Sequence, residues 1–373
     1  MGATYAYVGS RTSRERGADG EGITIWDAGG PGDGWRRLGT VAADASEARG
    51  DAALPANPSF LLVSDDRRSL YVTHGDTDAV SVLDLAADPA APRLVQTVHL
   101  GRRNPVHLAQ LGRRLLVTFM AGPGCVAELP IAGDGTLGEA SAIVEFAGDP
   151  GPLAIQQRTG SSPHQAVPDP TGRWALVPDR GLDRVHVVPV EPALAPAASA
   201  LVTRQAEGPR HVAFHPDGRR AYVVTELRSS LTTCDWDADR GVLTPVAVVP
   251  STAPEATYDA YASEVFVTPD GSAVVTSNRS GKNDHVPPVT QTDTLGVFPL
   301  DPDGLPGPGR WFSSGGLRPR FFAFAPGGTL TVAHQWDGRI VEFDDAGGSL
   351  SGRREVARTG TPTCVAWLDA PRA

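Results

Sequence analysis

The chain has 373 residues, with 33 Lys and Arg against 43 Asp and Glu for a formal net charge of −10, and it carries 42 Gly, 33 Pro and 3 Cys. With 40% hydrophobic and 20% charged residues it has ordinary globular proportions, so many turns, rather than disorder or a collagen-like repeat, account for the glycine and proline. An acidic chain with one lysine, Lys282, offers no general surface for nucleic acid or an anionic membrane, and no apolar run approaches the ~20 residues of a spanning helix.

From the N-terminus, Met1-Gly2-Ala3-Thr4-Tyr5 runs straight into a strand-like stretch. No basic segment followed by an apolar one precedes it, so a cytoplasmic protein is expected. Two alternating strands, Thr4–Gly9 and Gly22–Trp26, come first. A phrase then recurs along the chain: it starts at Asn57, Asn104, Pro163, Pro209, Ala262, Arg318 and Thr361. The Pro209–Glu226 copy matches Pro163–Arg180 position by position, and each full copy reads as strand, Pro/Asp-Gly turn, strand, polar loop, strand. The copy at Thr361 stops after one strand.

A repeat of this length built from short strands is the signature of a propeller. No segment carries a convincing helical period. The expected fold is therefore all-β, a seven-bladed β-propeller forming one domain over residues 1–373. Its ring is closed by the N-terminal strands joining the C-terminal blade, which removes an otherwise exposed sheet edge. A two-domain β-sandwich explains neither the count nor the complementary ends. Cys125, Cys234 and Cys364 are odd in number and widely spaced, as reduced structural thiols are.

In each blade a residue just before the first strand and one just after the second lie at the same end of the hairpin, facing one mouth of the central channel. The first set is Ser59, Val106, His164, Arg210, Ser263, Arg320 and Thr363. The second is His74, Met120, Arg180, Glu226, Arg279 and Gln335-Trp336, joined by Ser10-Arg11. An acidic protein thus gathers Arg180, Arg210, Arg279 and Arg320 at one opening, with His164 and Glu226 among them. Clustered guanidiniums repel unless an anion joins them, so a small anionic substrate is expected. Structural ties between blades are the bland reading of the same contacts. His211 and Glu264, one position further on, point to packing or a supporting hydrogen bond. Asp284-His285 sits in a proline-containing loop that reads as an insertion or a lid. No metal, nucleotide or serine-nucleophile motif is present, and neither a metal nor a cofactor is expected.

Asn57-Pro-Ser-Phe, Gly208-Pro-Arg-His with Glu226-Leu227, Ser263-Glu264 with Ser277-Asn-Arg, and Arg318-Pro-Arg-Phe resemble the seven-bladed lactonase family. That family holds the propeller-type 6-phosphogluconolactonases and the fungal-type carboxymuconate cyclases. The resemblance spans nearly the whole chain and implies that Arg210, Glu226, His164 and Arg279 are its active-site residues. Some phrases depart from the family's. Pro-His-x-His appears as Ser162-Pro163-His164-Gln165, with one His, and Ala-Asn-Gln as Ala333-His334-Gln335. Val117-Thr-Phe119-Met120 stands where Ala-Asn-Tyr is common, which favours a less hydroxylated, non-sugar acid.

Two chemistries fit one pocket. In a lactonase, Glu226 or His164 deprotonates a water while Arg210 and Arg279 hold the oxyanion. In a lactone-forming cycloisomerase, a substrate carboxylate adds across an alkene and the same groups deliver the proton. Arg320, Arg180, Gln335, His74, Phe119 and Met120 are then substrate-binding candidates. A non-catalytic binding module would have a disrupted mouth, whereas His164, Arg210, Glu226 and Arg279 are all present. A monomer is expected, because a propeller completes its core without a partner.

Overall fold

The computed structural model describes residues 3–30, 34–43, 53–256, 259–281, 293–345 and 347–370. Asp284-His285 falls outside them. The described strands form seven four-stranded sheets, each running antiparallel from an inner to an outer strand. Blades 1 to 6 use consecutive strands, whereas blade 7 takes its inner strand, Pro362–Ala370, from the C-terminus and the other three from the N-terminus, starting with Ala3–Ser10. Thr4 pairs with Asp369 and Gly9 with Cys364, which closes the ring as the complementary ends predict.

Burial follows from the stacking of blades. The second strand of blade 1, Ser69–His74, and that of blade 5, Ala273–Ser280, are buried at every position, because blades cover both of their faces. Outer strands such as Arg93–His99 are half-exposed. The apolar clusters therefore lie between neighbouring blades, as where Leu176, Val185 and Val187 of blade 3 meet Val212, Val223 and Trp236 of blade 4. Cys125, Cys234 and Cys364 are buried and unpaired. At the far end of the inner hairpin in blade 4, His215-Pro216-Asp217-Gly218 forms a tight turn in which Gly218 takes φ 71°, a conformation that favours glycine.

Helix is confined, among the described residues, to Ala154–Thr159 and a single 3-10 turn, Arg14–Arg16. Neither is long or apolar enough to cross a membrane.

Candidate active site

The mouth residues owe their aim to a backbone irregularity that the repeat pattern does not reveal. In blade 4 Pro209 pairs with Thr225 and His211 with Val224, leaving Arg210 as the extra residue of a bulge. The same shift leaves Ser59, Val106, Arg320 and Thr363 unpaired in their inner strands, and blade 5 has its bulge at Ser263-Glu264. A bulge turns one side chain out of the strict alternation and bends the strand locally. Here the bulges bring Arg210 and Arg320 to the channel mouth and Ser59, Val106, Glu264 and Thr363 into the channel beneath it.

A cavity of about 350 Å³ opens at this mouth and is lined by His164, Glu226, Met120, Leu227, Tyr261 and eight arginines. Arg180, Arg210, Arg279 and Arg320 lie where the hairpin geometry predicts. Arg11 was expected from the N-terminal strand, whereas Arg16, Arg158 and Arg318 were not singled out. Below it, a smaller cavity of about 30 Å³ continues down the channel and shares Arg11, His164, Arg210 and Arg320 with it.

Glu226 is the centre of the arginine cluster. Arg180 Nη1 donates to both carboxylate oxygens at 3.3 Å and Arg279 Nη2 to Oε1 at 3.2 Å, while Arg210 Nε lies 3.6 Å from Oε2. Burial alone would raise this carboxyl, but Arg180, Arg279, Arg210 and Arg320 outweigh it and hold the pKa at about 2. Burial and the neighbouring Arg279 bring Arg210 down to about 10. Arg210 also donates through Nη1 to the Ser263 carbonyl, and the Ser263 hydroxyl donates to the Arg320 carbonyl at 2.7 Å, tying blades 4, 5 and 6 together. Across the cavity Arg11 and Arg16 share Asp76, and the Arg318 guanidinium lies 4.7 Å above the Trp336 ring.

His164 is 6% exposed. Its Nδ1 lies 3.0 Å from His211 Nε2, so Nε2 is the nitrogen available to the cavity. Burial first, then the charges of Arg210, His211, Arg320 and Arg180, hold its pKa well below the ordinary imidazole value. His164 is therefore an uncharged imidazole at neutral pH.

Two expected binding residues lie elsewhere. His74 stands opposite Pro58 in the blade-1 register, one residue short of the mouth position. Its ring is fully buried, with Nε2 2.8 Å from the Ser81 hydroxyl and Nδ1 3.2 Å from the Ala56 carbonyl. Phe119 likewise stands opposite Pro105 and packs in the core between blades 1 and 2. Met120, one residue on, does reach the cavity. A shift of one residue along a strand moves a side chain to the other face, which accounts for both corrections. Gln335 stands one residue beyond the pairing of Pro319 with His334 and accepts a hydrogen bond from Arg320 Nη1 at 3.1 Å, so it supports the lining rather than forming it. No cluster of three or more His, Cys, Asp or Glu among the described residues could hold a metal ion.

Residues 6–367 match the family model described as lactonase, seven-bladed β-propeller. The chain belongs to that family. Among its relatives is a 6-phosphogluconolactonase of Bacillus subtilis (strain 168), 24% identical over 332 residues, which cover 85% of this chain and 89% of the relative. A second, from Pectobacterium carotovorum, is 28% identical over 261 residues, covering 67% and 69%. The fold is also that of a Pseudomonas aeruginosa periplasmic gluconolactonase, with a TM-score of 0.83 and 23% identity over 99% of this chain and all of that one.

Proposed function

We propose that this chain hydrolyses a small anionic lactone of the 6-phosphogluconolactone class at the mouth of the propeller channel. The observation that carries the reading is the cavity lining, in which Arg180, Arg210 and Arg279 converge on the single carboxylate of Glu226 in a protein of net charge −10. Such a surplus is stabilised by an anionic ligand, and planar guanidiniums suit phosphate and carboxylate. The names of the Bacillus and Pectobacterium relatives agree with it.

The chemistry divides among three groups. His164 Nε2 takes a proton from the water that attacks the lactone carbonyl. Arg210 and Arg279 receive the charge that develops on the carbonyl oxygen, and the remaining arginines hold the anionic substituent. Glu226, by contrast, is engaged through both carboxylate oxygens by Arg180 and through Oε1 by Arg279, with Arg210 beside it, and so does not take the base role. Its part is to hold three mutually repelling guanidiniums in one arrangement. Because Phe119 lies in the core, the apolar lining that favoured a non-sugar acid reduces to Met120 and a few neighbours. The cyclisation reading loses its particular support with it.

The test is acid release from 6-phosphogluconolactone, measured above the uncatalysed background and compared with gluconolactone lacking the phosphate. Turnover with a much lower KM for the phosphorylated lactone is expected. Folded protein that hydrolyses neither would overturn the proposal.

A further inference from the structure

Behind His164 the hydrogen bonding continues into the channel. His211 Nε2 lies 3.0 Å from His164 Nδ1, and His211 Nδ1 lies 2.5 Å from Glu264 Oε1. All three side chains are buried, and they come from three successive blades. Neither side chain is needed to hold an apolar core, and a buried carboxylate paired to an imidazole is an expensive way to tie blades together. One hydrogen must sit in each of the two gaps. Two arrangements satisfy both, and they differ by one proton: the first carries the negative charge of Glu264 and the second is neutral. In the first, Glu264 is a carboxylate accepting from His211 Nδ1–H, His211 Nε2 accepts from His164 Nδ1–H, and His164 Nε2 presents a lone pair to the cavity. In the second, one proton has been added at His164 Nε2 and each hydrogen of the chain has moved one place towards Glu264, which is now the acid.

We propose that Glu264 and His211 are positioning residues forming a proton relay behind His164, an inference that rests on the lactonase reading above. As water attacks, its O–H bond breaks, the oxygen bonds to the lactone carbonyl carbon, and the proton goes to His164 Nε2. His164 Nδ1–H passes to His211 Nε2 and His211 Nδ1–H to Glu264. When the ring C–O bond breaks, the relay runs backwards and His164 Nε2–H protonates the departing alkoxide. The product carboxylic acid then releases one proton to solvent, and the enzyme is unchanged.

The surroundings explain why the proton should not stay on His164. Arg210, Arg320 and Arg180 face that ring, and Arg210, Glu226, Arg320, Arg279 and the edge of His107 face His211. Burial and these cations hold both imidazoles well below their ordinary pKa. Glu264, by contrast, is raised to about 8 by burial, against the pull of Arg210, Arg279 and Arg320 and beside the Cys364 thiol. The carboxyl is therefore the member of the chain able to store a proton near neutrality.

Two readouts test this. In the free protein labelled with ¹⁵N-histidine, the His164 ring should exchange its hydrogen between Nε2 and Nδ1 with a midpoint near pH 8, and Glu264→Gln should hold it in one tautomer. His211→Gln, which cannot pass a proton, should abolish the exchange as well. In the acid-release assay kcat/KM should rise with pH through the same midpoint. Glu264→Gln should remove that ionisation and lower kcat about 10²-fold or more, with KM unchanged. A single His164 tautomer across this range in the wild type, or a wild-type kcat and pH profile in Glu264→Gln, would overturn the relay. A tautomer exchange in a protein that hydrolyses no lactone would support the relay and refute the lactonase reading instead.

Discussion

At Glu226, burial favours the neutral acid while guanidiniums at 3.2 to 3.6 Å favour the anion, and the anion prevails. Because the folded pKa of about 2 is below the ordinary value of 4.5, this carboxylate stabilises the fold above that value, and the contribution is lost as pH falls toward 2. Glu226→Gln should leave Arg180, Arg210 and Arg279 facing one another without a counter-charge. A fall in kcat/KM of roughly 10²-fold is expected with the far-UV circular dichroism unchanged, and Arg210→Lys should be nearly as damaging, since an ammonium cannot replace a guanidinium that contacts Glu226 and Ser263 together. Wild-type kinetics in both variants would contradict this assignment. Most of these residues were legible because their types are improbable at a channel mouth unless an anion is bound there. Arg318 and Arg158 were not. Arg318 precedes Pro319 at a φ of 57°, in the slot that Asn57, Asn104 and Gly208 occupy elsewhere, and Arg158 rides on a short helix outside the repeat.

The element that sets the site is the bulged inner strand with its entry. A residue of positive φ and a proline precede each mouth residue in blades 1, 2, 4, 6 and 7. In blade 4 the entry residue is Gly208, with φ 60°. A Cβ there would meet Leu227 Cγ at 2.5 Å and Arg180 Cγ at 3.1 Å. Gly208→Ala should therefore cost about 1–2 kcal/mol through backbone strain alone. It should also push Arg180 from Glu226, raising KM as the midpoint of denaturant unfolding falls, and a variant as stable and active as the wild type would show that the entry does not control the site. Hydrophobic alternation located these strands and their turns, but it is blind to a single extra residue. The mouth position is one residue beyond the partner of the entry proline, so Glu226 and Met120 reach the cavity whereas His74 and Phe119, opposite Pro58 and Pro105, do not.

At the scale of the whole molecule, closure depends on two chain ends sharing one sheet. This was legible because the last repeat is one strand long and the N-terminus has strands to spare. Tyr7 is wholly buried in blade 7, and Thr4 Oγ1 donates to Asp369 at 2.9 Å. Removing residues 1–10 should leave Pro362–Ala370 without its partner strand and expose two unpaired edges. Loss of the cooperative thermal transition, with aggregation, is expected, and a monomer melting as the intact chain does would argue against closure by these strands. What no repeat could show is how neighbouring blades combine their polar residues, since His164, His211 and Glu264 come from three blades and meet only when the ring is closed.

The account's central claim is that this closed ring assembles an arginine-lined lactone site in which His164 is the base. Acid release from 6-phosphogluconolactone by wild type and His164→Gln, side by side at one pH, tests it most directly. Rapid release by the wild type and a loss of kcat of about 10²-fold or more in the variant are predicted. Equal release by both proteins, or none by the folded wild type, would contradict it.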